Sequence, residues 1–143
     1  MRVRKQDPVT GDMQFGHGAA DFWHNVPEAV GQSCYTRLLL FAGEWFLDVT
    51  EGTPWGGYPL NPAVVAEGHI LAEHTALSRD MALRERIAGT PGVLQIAGFA
   101  SQFDPSTRVY SAQAAIDTIY GRLAMGVSMG SGPPLIKFQA VTP

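Results

Sequence analysis

The chain has 143 residues, of which 45% are hydrophobic and 16% charged, and its formal net charge is −3. That length fits one domain, at a charge density below the ~25% usual for soluble proteins. A basic stripe, the electrostatic footprint of a nucleic-acid binder, is missing, and the longest apolar cluster, 38–42, is far short of the ~20 residues that span a bilayer.

In chain order, Arg2, Arg4 and Lys5 are followed by Gln6-Asp7-Pro8 instead of an apolar core, so the start does not read as a signal peptide. Asp7-Pro8 and Gly11-Asp12 are turn signals between short alternating runs, and residues 1–22 are expected to form a loose β-hairpin. A first helix is predicted over about 26–42. Asn25 with Glu28 matches a capping box, and Pro27 suits the first turn, where its missing N–H costs nothing. Val30, Cys34, Leu38 and Phe41 recur on one helical face, with Gln32 and Arg37 off that stripe, and Gly43 is a natural stop. Cys34 is the single cysteine, which excludes an intrachain disulfide and fits a reducing compartment. Its place on an apolar stripe favours an inert buried thiol over a nucleophile.

Residues 43–62 are broken by Gly43, Gly52, Pro54, Gly56, Gly57, Pro59 and Pro62. Trp45 and Phe46 are expected to turn the chain back over the core, and 48–55 to form a rigid elbow whose Trp55 is either buried in the core or an aromatic anchor for a partner. A further helix over 62–74 is weakened by Gly68. The next helix carries Ser78 or Thr75 as cap, an Asp80–Arg84 pair at i,i+4 and Gly89 as its end. The period then changes to two. Tyr110, Ala112, Ala114, Ile116 and Tyr120 read as one face, and Ser111, Gln113, Ala115 and Asp117 as the other. With 104–107 as a type I turn, this predicts a long antiparallel hairpin, 93–103 with 108–120. Residues 122–143, rich in Gly, Met and Ser before Pro133-Pro134, read as a tail with little structure of its own, flexible or ordered by a partner. The fold class is α+β, with two or three helices packed on a small antiparallel sheet built around that hairpin, and 1–121 as the single domain.

Residues with chemistry are few. Glu44 with Asp48 or Glu51 would serve glycoside hydrolysis if two carboxyls stood ~5–9 Å apart, although acids in a turn are more often solvated. His69 and His74 in "HILAEH" lie one residue too far apart for an inverted zinc motif and point about 140° apart on a helix. Gly16-His17-Gly18 is too short for a phosphate loop. No metal and no cofactor is expected.

The segments "DMQFGHGAADF" (12–22), "PEAVGQSCYTRLLLFAGEWFLD" (27–48), "GTPW" (52–55), "LRERIAGTPGV" (83–93) and "IDTIYG" (116–121) occur in an order that resembles the small wedge subunit of contractile phage baseplates. That family is related to sheath-initiator proteins and to a baseplate component of type VI secretion. It carries a Glu-Pro-Arg tripeptide that contacts a helical bundle of larger wedge subunits. Thr90-Pro91-Gly92 stands at the matching place, with only the proline in common. The resemblance implies a non-enzymatic, hetero-oligomeric structural subunit, assembled in the host cytoplasm and located in the virion tail baseplate. Its partners would be other wedge subunits and the sheath protein. The implied interface residues are Trp45, Asp48, Glu51, Thr53, Pro54 and Trp55 of the elbow, Thr90, Pro91 and Gly92, and Leu135, Ile136 and Phe138 of the tail. Some members are labelled tail lysozymes, so a peptidoglycan hydrolase using Glu44 with Asp48 or Glu51 is the alternative. A free-standing cytoplasmic binding domain is a third reading.

Overall fold

The computed structural model describes residues 1–40, 47, 76–129 and 135–141. The α+β expectation holds: among the described residues, two α-helices accompany a two-stranded and a four-stranded antiparallel sheet. The small sheet pairs β1 (Arg2–Arg4) with β2 (Phe22–His24). Helix α1 runs Pro27–Leu39 and helix α2 runs Ala76–Ala88. The large sheet has the order β3 (Val93–Asp104), β4 (Val109–Thr118), β5 (Gly121–Met129), β6 (Leu135–Ala140), each strand next to its neighbour in sequence.

The predicted hairpin is β3–β4, paired from Val93–Thr118 to Asp104–Val109 with register shifts at Leu94 and Ala97. Asp104 closes its turn by accepting the Ser106 and Thr107 backbone N–H groups, and Arg108 takes a positive φ of 57°. Tyr110, Ala112, Ala114 and Ile116 are buried as the alternation requires. The register lines them up with Leu123, Met125, Val127 and Met129 of β5, which are buried as well. Both helices cover this face. Val30, Cys34 and Leu38 of α1 and Leu83 and Ile87 of α2 complete one core. Gly31 lets α1 come this close: a Cβ there would stand 2.6 Å from Phe138 Cδ2 and 2.9 Å from Leu123 Cδ2.

Three expectations are corrected. Residues 122–129 and 135–140 are not a tail without structure of its own. They are strands that complete the sheet, and β5 pairs the edge of β4 that a lone β3–β4 hairpin would leave without hydrogen-bond partners. The Asn25 capping box is not formed. Val26 is the N-cap and has no side-chain cap bond, while Asn25, at φ 51°, accepts the Met1 amino group at 2.5 Å. Gln32, off the apolar stripe of α1, is 3% exposed. Its carboxamide accepts the Gln6 N–H at 3.1 Å and donates to the Arg4 carbonyl, so it closes the outer edge of β1 as a further strand would. Asp80 turns to the sheet rather than to Arg84: it accepts the Ser101 hydroxyl at 2.8 Å and the Tyr110 hydroxyl, and the Arg84 guanidinium lies over Phe99.

The N-terminal hairpin is present in outline. Asp7 and Gln14 donate to Asp12 and Lys5 across it, and Gln6 bridges to Met13. The 26–42 helix is confirmed to Leu39, and Phe41, Ala42, Gly43, Thr75 and the 62–74 helix lie outside the described residues.

Candidate functional site

The sequence-predicted residues fall into three groups. Those of the elbow, Trp45, Asp48, Glu51, Thr53, Pro54 and Trp55, lie outside the described residues, as do Glu44, His69 and His74. The other two groups, the 90–92 loop and β6, are built as follows.

The loop joins α2 to β3 and is fastened on every side. The Gly89 N–H returns to the Glu85 carbonyl at 2.9 Å and the Thr90 N–H to Ile87 at 3.1 Å, the ordinary closure of a helix end. Thr90 is 2% exposed. Its hydroxyl donates to the Arg86 carbonyl at 2.9 Å and accepts from Arg37 Nη1 at 3.1 Å, and the same Nη1 reaches the Arg86 carbonyl at 3.0 Å. Arg37 on α1 thereby takes up a carbonyl that the end of α2 leaves open. Gly92 has φ 94°, and a Cβ there would meet Val30 Cγ2 at 2.8 Å, so glycine is required twice over. Its carbonyl accepts the Ile119 N–H at 3.0 Å. Pro91 remains exposed. Beside it stand Leu94, 67% exposed, and Ile119, 54% exposed. Leu94 is the unpaired residue where the register shifts between Val93 and Gln95, and such a bulge re-aims a side chain. The sequence reading missed both residues. Two large apolar side chains next to a turn were the available signal.

In β6, Phe138 and Ile136 face the helices and are half-buried, and the Phe138 ring packs on Tyr35 of α1 with centroids 6.3 Å apart. Leu135 faces outward and is 68% exposed. The Val141 N–H bonds to Arg122 of β5 at 2.9 Å. Antiparallel alternation then turns the backbone groups of Ile136, Phe138 and Ala140 away from β5. Among the described residues no strand pairs with that edge.

The two groups are not brought together. The loop lies at the Thr118–Gly121 end of the sheet, on the β3 side, and Leu135 pairs with Ser128 at the other end, on the β6 side. Seven residues of β5 separate the two ends, about 24 Å at ~3.4 Å per residue, and the two edge strands are about 14 Å apart.

Burial shifts two titratable groups of the core. Burial pushes the Cys34 thiol above its ordinary pKa, against the Thr90 hydrogen bond and the Arg37 charge. Burial, with the bond to Asp80 adding, also raises the Tyr110 hydroxyl. Among the described residues no group of three His, Cys, Asp or Glu is placed to hold a metal, and no helix is long and apolar enough to cross a membrane. The described residues present an unpaired outer edge of β6 and a 90–92 loop held by hydrogen bonds.

No individual curated protein matches the chain. A family does: residues 2–121 match the contractile injection system sheath initiators, from β1 through the β4–β5 turn. The chain belongs to the sheath-initiator family of contractile injection systems.

Proposed function

We propose that this chain is a structural subunit of a phage-type tail baseplate wedge and that the sheath starts from its β6 edge. The family assignment carries the coarse role, a structural part in sheath initiation. The observation that supports the finer one is the unpaired outward edge of β6 at Ile136, Phe138 and Ala140. An open edge is a template for a strand from another chain, with main-chain bonds giving affinity and alternate side chains giving register. Leu135 on the outward face is the side chain such a strand meets first.

The wedge side of the subunit is the opposite edge. Pro91, Leu94 and Ile119 are exposed on and beside a loop held by several hydrogen bonds, and apolar side chains presented in this way suit a groove between helices of larger wedge subunits. The elbow residues Trp45, Asp48, Glu51, Thr53, Pro54 and Trp55 add contacts to the same assembly. The subunit is made in the host cytoplasm, ends in the virion baseplate, and works by buried area and strand pairing without turnover.

Ala140→Pro tests this reading. It removes one outward N–H of β6 and leaves the Val141 bond to β5 in place. The isolated subunit is expected to keep its melting temperature within a few degrees. Particles carrying it are expected to show baseplates with tubes but few sheaths in electron micrographs. Normal sheath counts with the variant incorporated would contradict strand addition at β6.

A further inference from the structure

One face of the small sheet gathers charge and rings. Strand alternation puts Arg2 and Arg4 on the same side, and the register places His24 and Phe22 beside them. The Gln6–Met13 bridge extends this face onto the hairpin return, where Met13 and Phe15 join it. Val3, Lys5 and Trp23 belong to the other side, where the Lys5 ammonium lies 4.4 Å from the Trp23 ring.

The guanidinium of Arg4 stands 4.3 Å from the Phe22 centroid and 4.4 Å from that of Phe15, and the guanidinium of Arg2 stands 3.8 Å from Phe22. Stacking of this kind uses the flat faces of the guanidinium and leaves its N–H edge free to bind. Arg4 uses Nη1 on the Gln14 carbonyl at 2.8 Å. Arg2 is exposed, and its ring contact is not accompanied by a hydrogen bond to any described residue. Phe15 is 67% exposed and Met13 46%.

Three of the ten basic residues fall within the first five positions of a chain whose net charge is −3. Two of the nearby acids are occupied. Asp21 is buried and holds the His17 N–H and ring, and Asp7 accepts the Val9 and Thr10 N–H groups of its own turn. Among the described residues no carboxylate forms an ion pair with the Arg2 guanidinium. Arg, Phe and Met together are the composition of an interface centre.

We propose that this face docks an acidic segment of a neighbouring protein in the assembly, with two or more carboxylates flanking an apolar side chain. The proposal rests on the reading that the chain works inside an assembly. A carboxylate takes the Arg2 fork bidentately, and the apolar side chain covers Phe15. A nucleic acid fits less well, because two stacked arginines neutralise few phosphates and the rest of the chain is acidic.

The test is the full chain carrying Phe15→p-benzoylphenylalanine, built into the particle, irradiated, and sequenced at its crosslink by mass spectrometry. The expected product is a peptide of another subunit with at least two Asp or Glu within about eight residues, roughly two helical turns. Arg2→Glu on the same chain should lower the crosslink yield on the order of tenfold, the loss typical of an arginine hot spot. Arg2→Lys keeps the charge without the planar fork and should lie between the two. Melting of each variant within a degree or two of the parent shows that folding is not the cause. A crosslink to residues 41–75 of the same chain, to a segment without acids, to nucleic acid or to lipid overturns the proposal, and so does a yield indifferent to Arg2→Glu. Absence of the chain from purified particles would instead remove the assembly reading beneath it.

Discussion

In the large sheet, β4 and β5 are held by area: Tyr110, Ile116, Leu123 and their neighbours are buried under both helices. In the small sheet, β1 and β2 are three residues each and are held by individual polar groups. Gln32 closes the edge of β1, the Met1 amino group bonds to Asn25 and to the Tyr120 hydroxyl at 2.7 Å, and Asp21 ties His17 into the turn before β2. Two short strands are marginal alone. The comparison shows how one chain can carry a platform held by buried area and, beside it, a small element whose shape depends on a few named side chains. A change in the first should unfold the whole molecule, and a change in the second should loosen one corner.

Leu123→Ala should break the platform. The residue is fully buried against α1, and such truncations cost about 2–5 kcal/mol. Chemical denaturation should show one cooperative transition at a lower midpoint, and an unchanged midpoint would place Leu123 outside the core. Gly31→Ala should cost less, about 1–3 kcal/mol, because the Phe138 ring has to give way to the new methyl. That loss should be accompanied by faster exchange of the β6 amides. Protection of β6 equal to the parent would mean that α1 and β6 are not in contact as described.

Gln32→Leu should sharpen the contrast. It keeps the volume roughly but leaves the Gln6 N–H and the Arg4 carbonyl without their partner, a penalty of about 1–3 kcal/mol. Amide exchange is expected to rise at Gln6 and along β1 while β4 stays as protected as before. Uniform loss across both sheets would show that the two are one cooperative unit.

The smallest effect concerns acid. The His17 backbone N–H, with its ring and the Arg4 charge adding, holds the Asp21 carboxyl below the ordinary range in spite of burial. A carboxyl with a depressed folded pKa stabilises fully above its ordinary pKa, and that stabilisation is lost as the pH falls through the folded value. The Lys5 amide, bonded to the Asp21 carbonyl at 2.7 Å, should therefore lose protection in that window before β4 does. Asp21→Asn should remove the pH step, and a step that persists in Asp21→Asn would assign it to another group.

Much of the platform was legible. Val30, Cys34 and Leu38 repeat with the helical period, and Tyr110 to Ile116 alternate with the strand period, so local pattern and tertiary burial agree there. Strand β5 was passed over although Leu123, Met125, Val127 and Met129 also alternate. Glycine and serine on its outer face gave it the composition of a loop. Strand β6 stood behind Pro133-Pro134 and was read as detached. Gln32 was illegible in principle, since a polar residue off the apolar stripe is buried only when another strand presents its backbone there. At the candidate site, the position of the 90–92 loop came through the family resemblance. Leu94 and Ile119 stood beside a turn as large apolar side chains, but the bulge that exposes Leu94 has no counterpart in the residue alternation.

The central claim is that this chain is where the sheath begins. Particles assembled without it, with tube, wedge and sheath proteins all supplied, test that most directly by electron microscopy. The account predicts baseplates bearing naked tubes, with sheaths restored by adding the parent chain and not by Ala140→Pro. Sheaths of normal length seated on baseplates that lack the chain would contradict it.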